Sequence, residues 1–164
     1  MATIHTRHVE YEASLSFYKK AHEVSGKLEE LTPEDIKWLH LGIAFCYTYL
    51  EFPFKAISFL ENTRDLHTNK RASVLNLHFG NELIKNYIRV NDLLKAEKLL
   101  EHNLIYANSM KDDLYIGLAL HNFGRLRKQS EKWEEASNYL DQTVKCFEKG
   151  SMLYLWAMHD AVCC

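Results

Sequence analysis

The chain reads as an all-α protein, an α-solenoid of helical hairpins, and three observations predict it. Two prolines and six glycines in 164 residues leave little material for the many turns of an all-β fold, while Leu, Lys, Glu and Ala recur throughout. Helix starts are legible: in LTPEDIKW, Thr32 serves as N-cap, Pro33 sits in the first turn, and Glu34 and Asp35 face the positive end of the helix. Most telling, one amphipathic helix is written three times, as KAISFLENT (Lys55–Thr63), KAEKLLEHN (Lys95–Asn103) and EEASNYLDQ (Glu134–Gln142).

The repetition has a period. Ala56, Ala96 and Ala136 lie 40 residues apart, followed at i+4 by Leu60, Leu100 and Leu140 and at i+3 by Phe59, Leu99 and Tyr139. A small residue followed by bulky ones makes a narrow helix face that another helix can approach closely. Upstream of each lies a second helix, in LHLGIAFCY (Leu39–Tyr47), LHFGNELIKNY (Leu77–Tyr87) and LHNFGRL (Leu120–Leu126). Each unit is therefore a hairpin of helix A then helix B.

In chain order, the stretch from Tyr11 to Val24 places Ala13 and Phe17 in helix B positions and breaks near Gly26, giving a lone helix within 8–30. Three hairpins follow at 33–68, 71–108 and 112–149, separated at His67–Arg71, at Asn108–Asp113, where Asp112 and Asp113 cap the next helix, and at Glu148–Ser151. The stretch at 151–164 reads as a final helix A, for eight helices in a single repeat domain over 1–164. A repeat buries its apolar face only against a neighbour, so lone helices at both ends are expected to belong to a longer array or to drive self-association through Leu15, Phe17, Leu153, Leu155 and Trp156. Helix A of the first hairpin matches the others only with about two residues inserted before Ala56.

Hairpins with these positions resemble the tetratricopeptide repeat. LHNFGRLRKQSEKWEEASNYL carries its Leu120, Phe123, Gly124, Trp133, Ala136 and Leu140, and the second unit its Leu83, Tyr87, Ala96 and Leu100, with Ile84 where the glycine belongs. Within that class the long period, the Lys-Ala-rich B helices FKAISFLENTRDL and LLKAEKLLEHNLIYANSMKD, and the Asn-bearing helix A of LHNFGRL resemble the Rap/NprR/PlcR-type (RRNPP) peptide-sensing regulators of Gram-positive bacteria. That resemblance, from about Tyr11 onward, implies a groove for a short signalling peptide, in quorum sensing and transcription regulation. No DNA-binding or catalytic effector segment of that group is visible in the chain.

The residues supply a groove of their own. With Leu83, Ile84 and Tyr87 as core, His78, Asn81, Lys85 and Arg89 fall on the opposite side of the second A helix, and His121, Asn122, Arg125 and Lys128 on that of the third. Trp38, Leu41, Phe45 and Tyr49 hold matching offsets in the first. Asn81 and Asn122 offer amide donors and acceptors to an extended peptide backbone, and Lys85, Arg89 and Arg125 suit a carboxylate. Trp38, Phe45 and Tyr49 offer side-chain pockets. The competing reading makes the polar stripes solvated faces and the aromatics inter-helix core.

Other chemistry has little support. A net charge of -2 gives no global attraction to nucleic acid, and the basic run RLRKQSEK is offset by Glu131, Glu134 and Glu135, so direct nucleic-acid binding is not expected. Nine histidines form no His-x-x-x-His or His-x-x-Glu-His pair, so no metal or other cofactor is expected. With neither a Gly-rich phosphate loop nor a nucleophile elbow, the chain is not expected to be an enzyme. Cys46, Cys146, Cys163 and Cys164 lack CxxC spacing and read as free thiols of a reducing compartment; without an apolar membrane span or signal peptide, the expected location is the cytoplasm, with a short peptide or protein segment as partner.

Overall fold

The computed structural model describes residues 2–25, 31–64 and 74–162. Among them the chain is all-α, with α1 (Ala2–Ser25), α2 (Pro33–Tyr49), α3 (Pro53–Arg64), α4 (Val74–Arg89), α5 (Leu93–Met110), α6 (Asp113–Gln129), α7 (Trp133–Cys146) and α8 (Met152–Val162). The breaks expected at Gly26 and His67–Arg71, and the residues Cys163 and Cys164, lie outside the described residues. No described helix is long and apolar enough to cross a membrane.

The helix starts follow the capping chemistry of the sequence. Thr32 accepts from the Asp35 backbone N–H at 3.2 Å while the Asp35 carboxylate accepts from the Thr32 N–H at 2.9 Å, a reciprocal capping box with Pro33 at the first helical position. Asp112 caps α6 by accepting from the N–H groups of Leu114 and Tyr115. The Asp92 side chain does the same for α5 through Lys95.

Three turns between consecutive helices share one geometry. Glu51, Asn91 and Glu131 are left-handed, with φ of 61°, 62° and 59°. The next residue, Phe52, Asp92 or Lys132, donates its N–H back across the turn to the carbonyl of Tyr47, Tyr87 or Arg127, each at 2.9 Å. This six-to-one bond, with the left-handed residue before it, is a Schellman termination built without glycine. Helices α2, α4 and α6 accordingly end at Tyr49, Arg89 and Gln129, and α3, α5 and α7 begin at Pro53, Leu93 and Trp133.

Burial follows the same count. Ala56, Ala96 and Ala136 are each 0% exposed, and Leu60, Leu100 and Leu140 are buried four residues on. Counted back from the turns, the position of Gly124 falls on Ile84 and Ala44, all buried, so no two-residue insertion separates α2 from α3. The Leu-His echo that suggested an offset is a coincidence of composition: Gly42 falls instead on the register of Glu82 and Asn122.

The molecule divides into two compact units, 1–86 and 87–164. In the first, α1 packs on α2, where Leu15, Ile43, Cys46 and Leu50 form a core flanked by Tyr11, Tyr47 and Phe59. Gly42 admits the Tyr18 ring, which stands 2.7 Å from where a β-carbon would be. Ala13 and Phe17 do not occupy buried helix B positions: Ala13 is exposed and Phe17 is 72% exposed, because α1 turns Tyr11 and Leu15 toward α2. Asn86 of α4 is fully buried and donates to Thr48 Oγ1 of α2 at 2.8 Å.

In the second unit the tightest crossing is between α6 and α7. A β-carbon on Gly124 would stand 2.7 Å from Leu140 Cγ and 3.5 Å from the Ala136 carbonyl oxygen, and Phe123 stacks on Tyr139 with centroids 5.0 Å apart. Arg127 of α6 joins Glu97 of α5 at 2.5 Å and Glu135 of α7 at 2.9 Å, clamping three helices beside the turn. On α8, Ala157 is buried and Leu153 half-buried, while Leu155 and Trp156 are exposed.

Two substitutions test this packing. Ala96→Leu is expected to cost about 1 to 3 kcal/mol by overpacking a site with no room for added methylenes. Glu131→Gly is expected to stabilise by on the order of 0.5 to 1 kcal/mol, because relief of the left-handed strain outweighs the added entropy of the unfolded chain. Chemical denaturation of both variants checks the signs.

Candidate functional site

Of the sequence-predicted residues, Trp38, Phe45, Tyr49, His78, Asn81 and Lys85 lie in the first unit and Arg89, His121, Asn122, Arg125 and Lys128 in the second. In the first, Trp38, Phe45 and Tyr49 lie along α2 at helical spacing and remain 47%, 37% and 37% exposed. Tyr11 of α1 stacks on Tyr49 at 4.9 Å and meets Phe45 edge-on at 6.0 Å, while Phe45 and Tyr49 are 4.3 Å apart. The result is a contiguous aromatic patch held in place by α1. His78 of α4 packs against Trp38 at 5.5 Å.

Lys85 stands at the edge of this patch, with Nζ 5.8 Å from the ring centroids of both Phe45 and Tyr49. It also forms an ion pair with the buried carboxylate of Glu82. Its charge is therefore neutralised within the site, and the expected role of holding a ligand carboxylate does not follow from this geometry. Asn81 is half-buried and Arg89 exposed.

Beside these residues α4 carries two buried acceptors without a partner among the described residues, Glu82 Oε2 and Asn86 Oδ1. Each is a nine-tenths buried side chain four residues from the other. An unsatisfied buried acceptor costs free energy unless a donor arrives. No motif in the sequence singles out Glu82 or Asn86; the only signal is a polar residue interrupting the apolar run LIKNYI and its approach.

In the second unit α6 presents His121 and Arg125, both half-buried, with Lys128 half-buried one turn on. Asn122 departs from the expected solvated stripe: it is 5% exposed, because its position matches that of buried Glu82 rather than that of Asn81. Arg125, Lys128 and Gln129 instead line an open cleft of about 290 Å³ together with Ile88, Leu140 and Asp160 of α8. Asp160 Oδ2 is 2.7 Å from His121 Nε2, and Asp160 Oδ1 is 3.2 Å from His159 Nδ1.

His121 and His78 share a shift. Burial pushes the His121 imidazole below its ordinary range, with the Asp160 hydrogen bond and charge opposing and the Arg125 charge adding to the effect. Burial likewise lowers His78, opposed by Glu82 and aided by Lys85. Burial alone would raise the Asp160 carboxyl, but hydrogen bonds from His121 and His159 hold it below the usual carboxylate range. At neutral pH this describes a neutral His121 donating to an ionised Asp160. The thiols of Cys46 and Cys146 are free and pushed up by burial, which makes them poor nucleophiles. Among the described residues no group of three or more His, Cys, Asp or Glu side chains is placed to hold a metal ion.

Comparison with protein-family models, with curated proteins and with solved structures returns no match to this chain.

Because both folded-state imidazoles are depressed, the unfolded chain takes up protons first as pH falls. Their contribution to stability is present above about pH 6.5 and is lost as pH falls through the folded values. The melting temperature is expected to drop on acidification from pH 7 to pH 5, with a shallower slope in His121→Gln, which keeps a donor to Asp160 but cannot titrate. A flat profile in the parent protein would contradict the assignment.

Proposed function

We propose that the chain is a peptide-binding helical-repeat module of the tetratricopeptide class, its hairpins belonging to a right-handed superhelical solenoid. Its proposed role is the signalling-peptide sensor region of a bacterial quorum-sensing regulator of transcription, acting in the cytoplasm without catalysis. The repeat class is supported by the recurrence of turn, helix end and buried alanine every 40 residues. The peripheral role of sensor rests on the sequence resemblance.

The single observation that carries peptide binding is the exposed aromatic patch of Trp38, Phe45 and Tyr49. Aromatic side chains give large contact area for apolar peptide side chains. Asn122, being buried, is not assigned direct backbone capture in this reading.

Mass spectrometry of small ligands released from the purified chain tests the proposal. A co-purifying peptide of about five to eight residues is expected, and its affinity should fall by at least about tenfold, or 1.4 kcal/mol, in Trp38→Ala, with helicity unchanged. Recovery of only a large protein partner, with Trp38→Ala binding it as the parent does, would replace the sensor with a scaffold.

A further inference from the structure

Helices α1 and α8 each pack mainly on one side. In the first unit α2 packs on both α1 and α3, and in the second α6 packs on α5 and α7 while α7 packs on α6 and α8. Among the described residues the principal partner of α1 is α2, and that of α8 is α7. Each helix turns one face inward, where Leu15 of α1 and Ala157 of α8 are buried.

Each also carries an apolar face on the outside. On α1, Ala13, Phe17, Ala21 and Val24 fall at three- and four-residue steps, about 120° around the helix from Tyr11, Leu15 and Tyr18, and all four are exposed. On α8, Met152, Leu155, Trp156 and Met158 are exposed, and its one formally charged residue, Asp160, is engaged by His121 and His159. Of the residues that the sequence assigns to self-association, Leu15 and Leu153 are thus drawn into the chain, and Phe17, Leu155 and Trp156 stay outside. A row of exposed apolar side chains along a helix marks a contact surface.

The two faces match in relief and in charge. Ala13 and Ala21 leave hollows on either side of Phe17, whereas the α8 face presents only bulky side chains, and no Lys, Arg, Asp or Glu stands in either row. Bulky over small is how α7 meets α6, where Leu140 Cγ comes within 2.7 Å of the place a β-carbon would take on Gly124. Two α8 faces would set bulk against bulk. We propose that the outer face of α8 takes up the outer face of α1 from a second copy of this chain, continuing the α6, α7, α8 packing by one more helix. The contact joins unlike faces, so two copies held by one such contact still display one free face of each kind. This self-association is independent of the peptide-binding reading, whose exposed aromatics lie on α2.

The test is sedimentation equilibrium of the full chain, of Phe17→Glu, of Leu155→Glu, and of the two variants mixed. Both positions are exposed, so each variant should keep the helicity of the parent; Val24→Glu and Trp156→Glu carry the same test on the same faces if either does not. The average mass of the parent is expected to rise above that of one copy with concentration. Each variant alone should associate at least about tenfold more weakly, because a carboxylate would be buried without a partner. The equimolar mixture should regain the affinity of the parent yet stop at one copy of each, since only one intact α1 face and one intact α8 face can meet. Association of Phe17→Glu alone as tightly as the parent would place α8 on α8, and the same result for Leu155→Glu would place α1 on α1; either overturns the proposal. A parent that stays monomeric, or a mixture that does not associate, overturns it as well.

Discussion

Ala56, Ala96 and Ala136 are fully buried, and at the α6–α7 crossing, where Ala136 sits, two backbones approach so closely that a larger side chain has nowhere to go. There Gly124 lies against Leu140 and the Ala136 carbonyl with no room for even a β-carbon. A pair of backbones this close must be delivered in register, since a slip of one residue rotates a helix by about 100° and replaces alanine with a bulky neighbour. The left-handed turns at Glu51, Asn91 and Glu131 supply the register by fixing five residues from the left-handed position to the alanine. Arg127 locks one of these turns further by pairing with Glu97 and Glu135.

The same constraint decides which residues remain for function. With one face of each A helix committed to the crossing, the stripe that includes Trp38, Phe45 and Tyr49 on α2 and His121 and Arg125 on α6 stays at least partly accessible. Polar groups on these stripes are answered within each unit, Lys85 by the Glu82 carboxylate and the neutral His121 by hydrogen bonding to Asp160. Such pairs hold side chains in position at little net gain in stability. A ligand must compete with them, which favours selectivity over raw affinity.

Much of the fold was legible in the sequence because it is local: Thr32 and Asp35 announce a capping box, and the alanine period announces the crossings. The inner turns were harder to read, since Glu51, Asn91 and Glu131 carry left-handed backbone without glycine, and only Asn91 is a residue type that favours it. The register of α2 misled because glycines at Gly42 and Gly124 serve different contacts, one beneath Tyr18 and one beneath Leu140. At the site, helical spacing placed Trp38, Phe45, Tyr49 and Arg125 on open faces. It failed for Asn122, one position from the stripe and therefore buried, and it gave no hint of Asp160, whose contact with His121 spans 39 residues.

The central claim is that 40 residues form one structural period. It is tested most directly by excising residues 52–91, which joins Glu51 to Asp92 and rebuilds one turn from two, and comparing that protein with one lacking residues 54–91. The account predicts that the in-register deletion remains helical and melts cooperatively, because the left-handed residue, the turn bond and the following alanine keep their spacing, whereas the second deletion loses cooperative melting. Equal behaviour of the two deletions, whether both fold or both collapse, would contradict it.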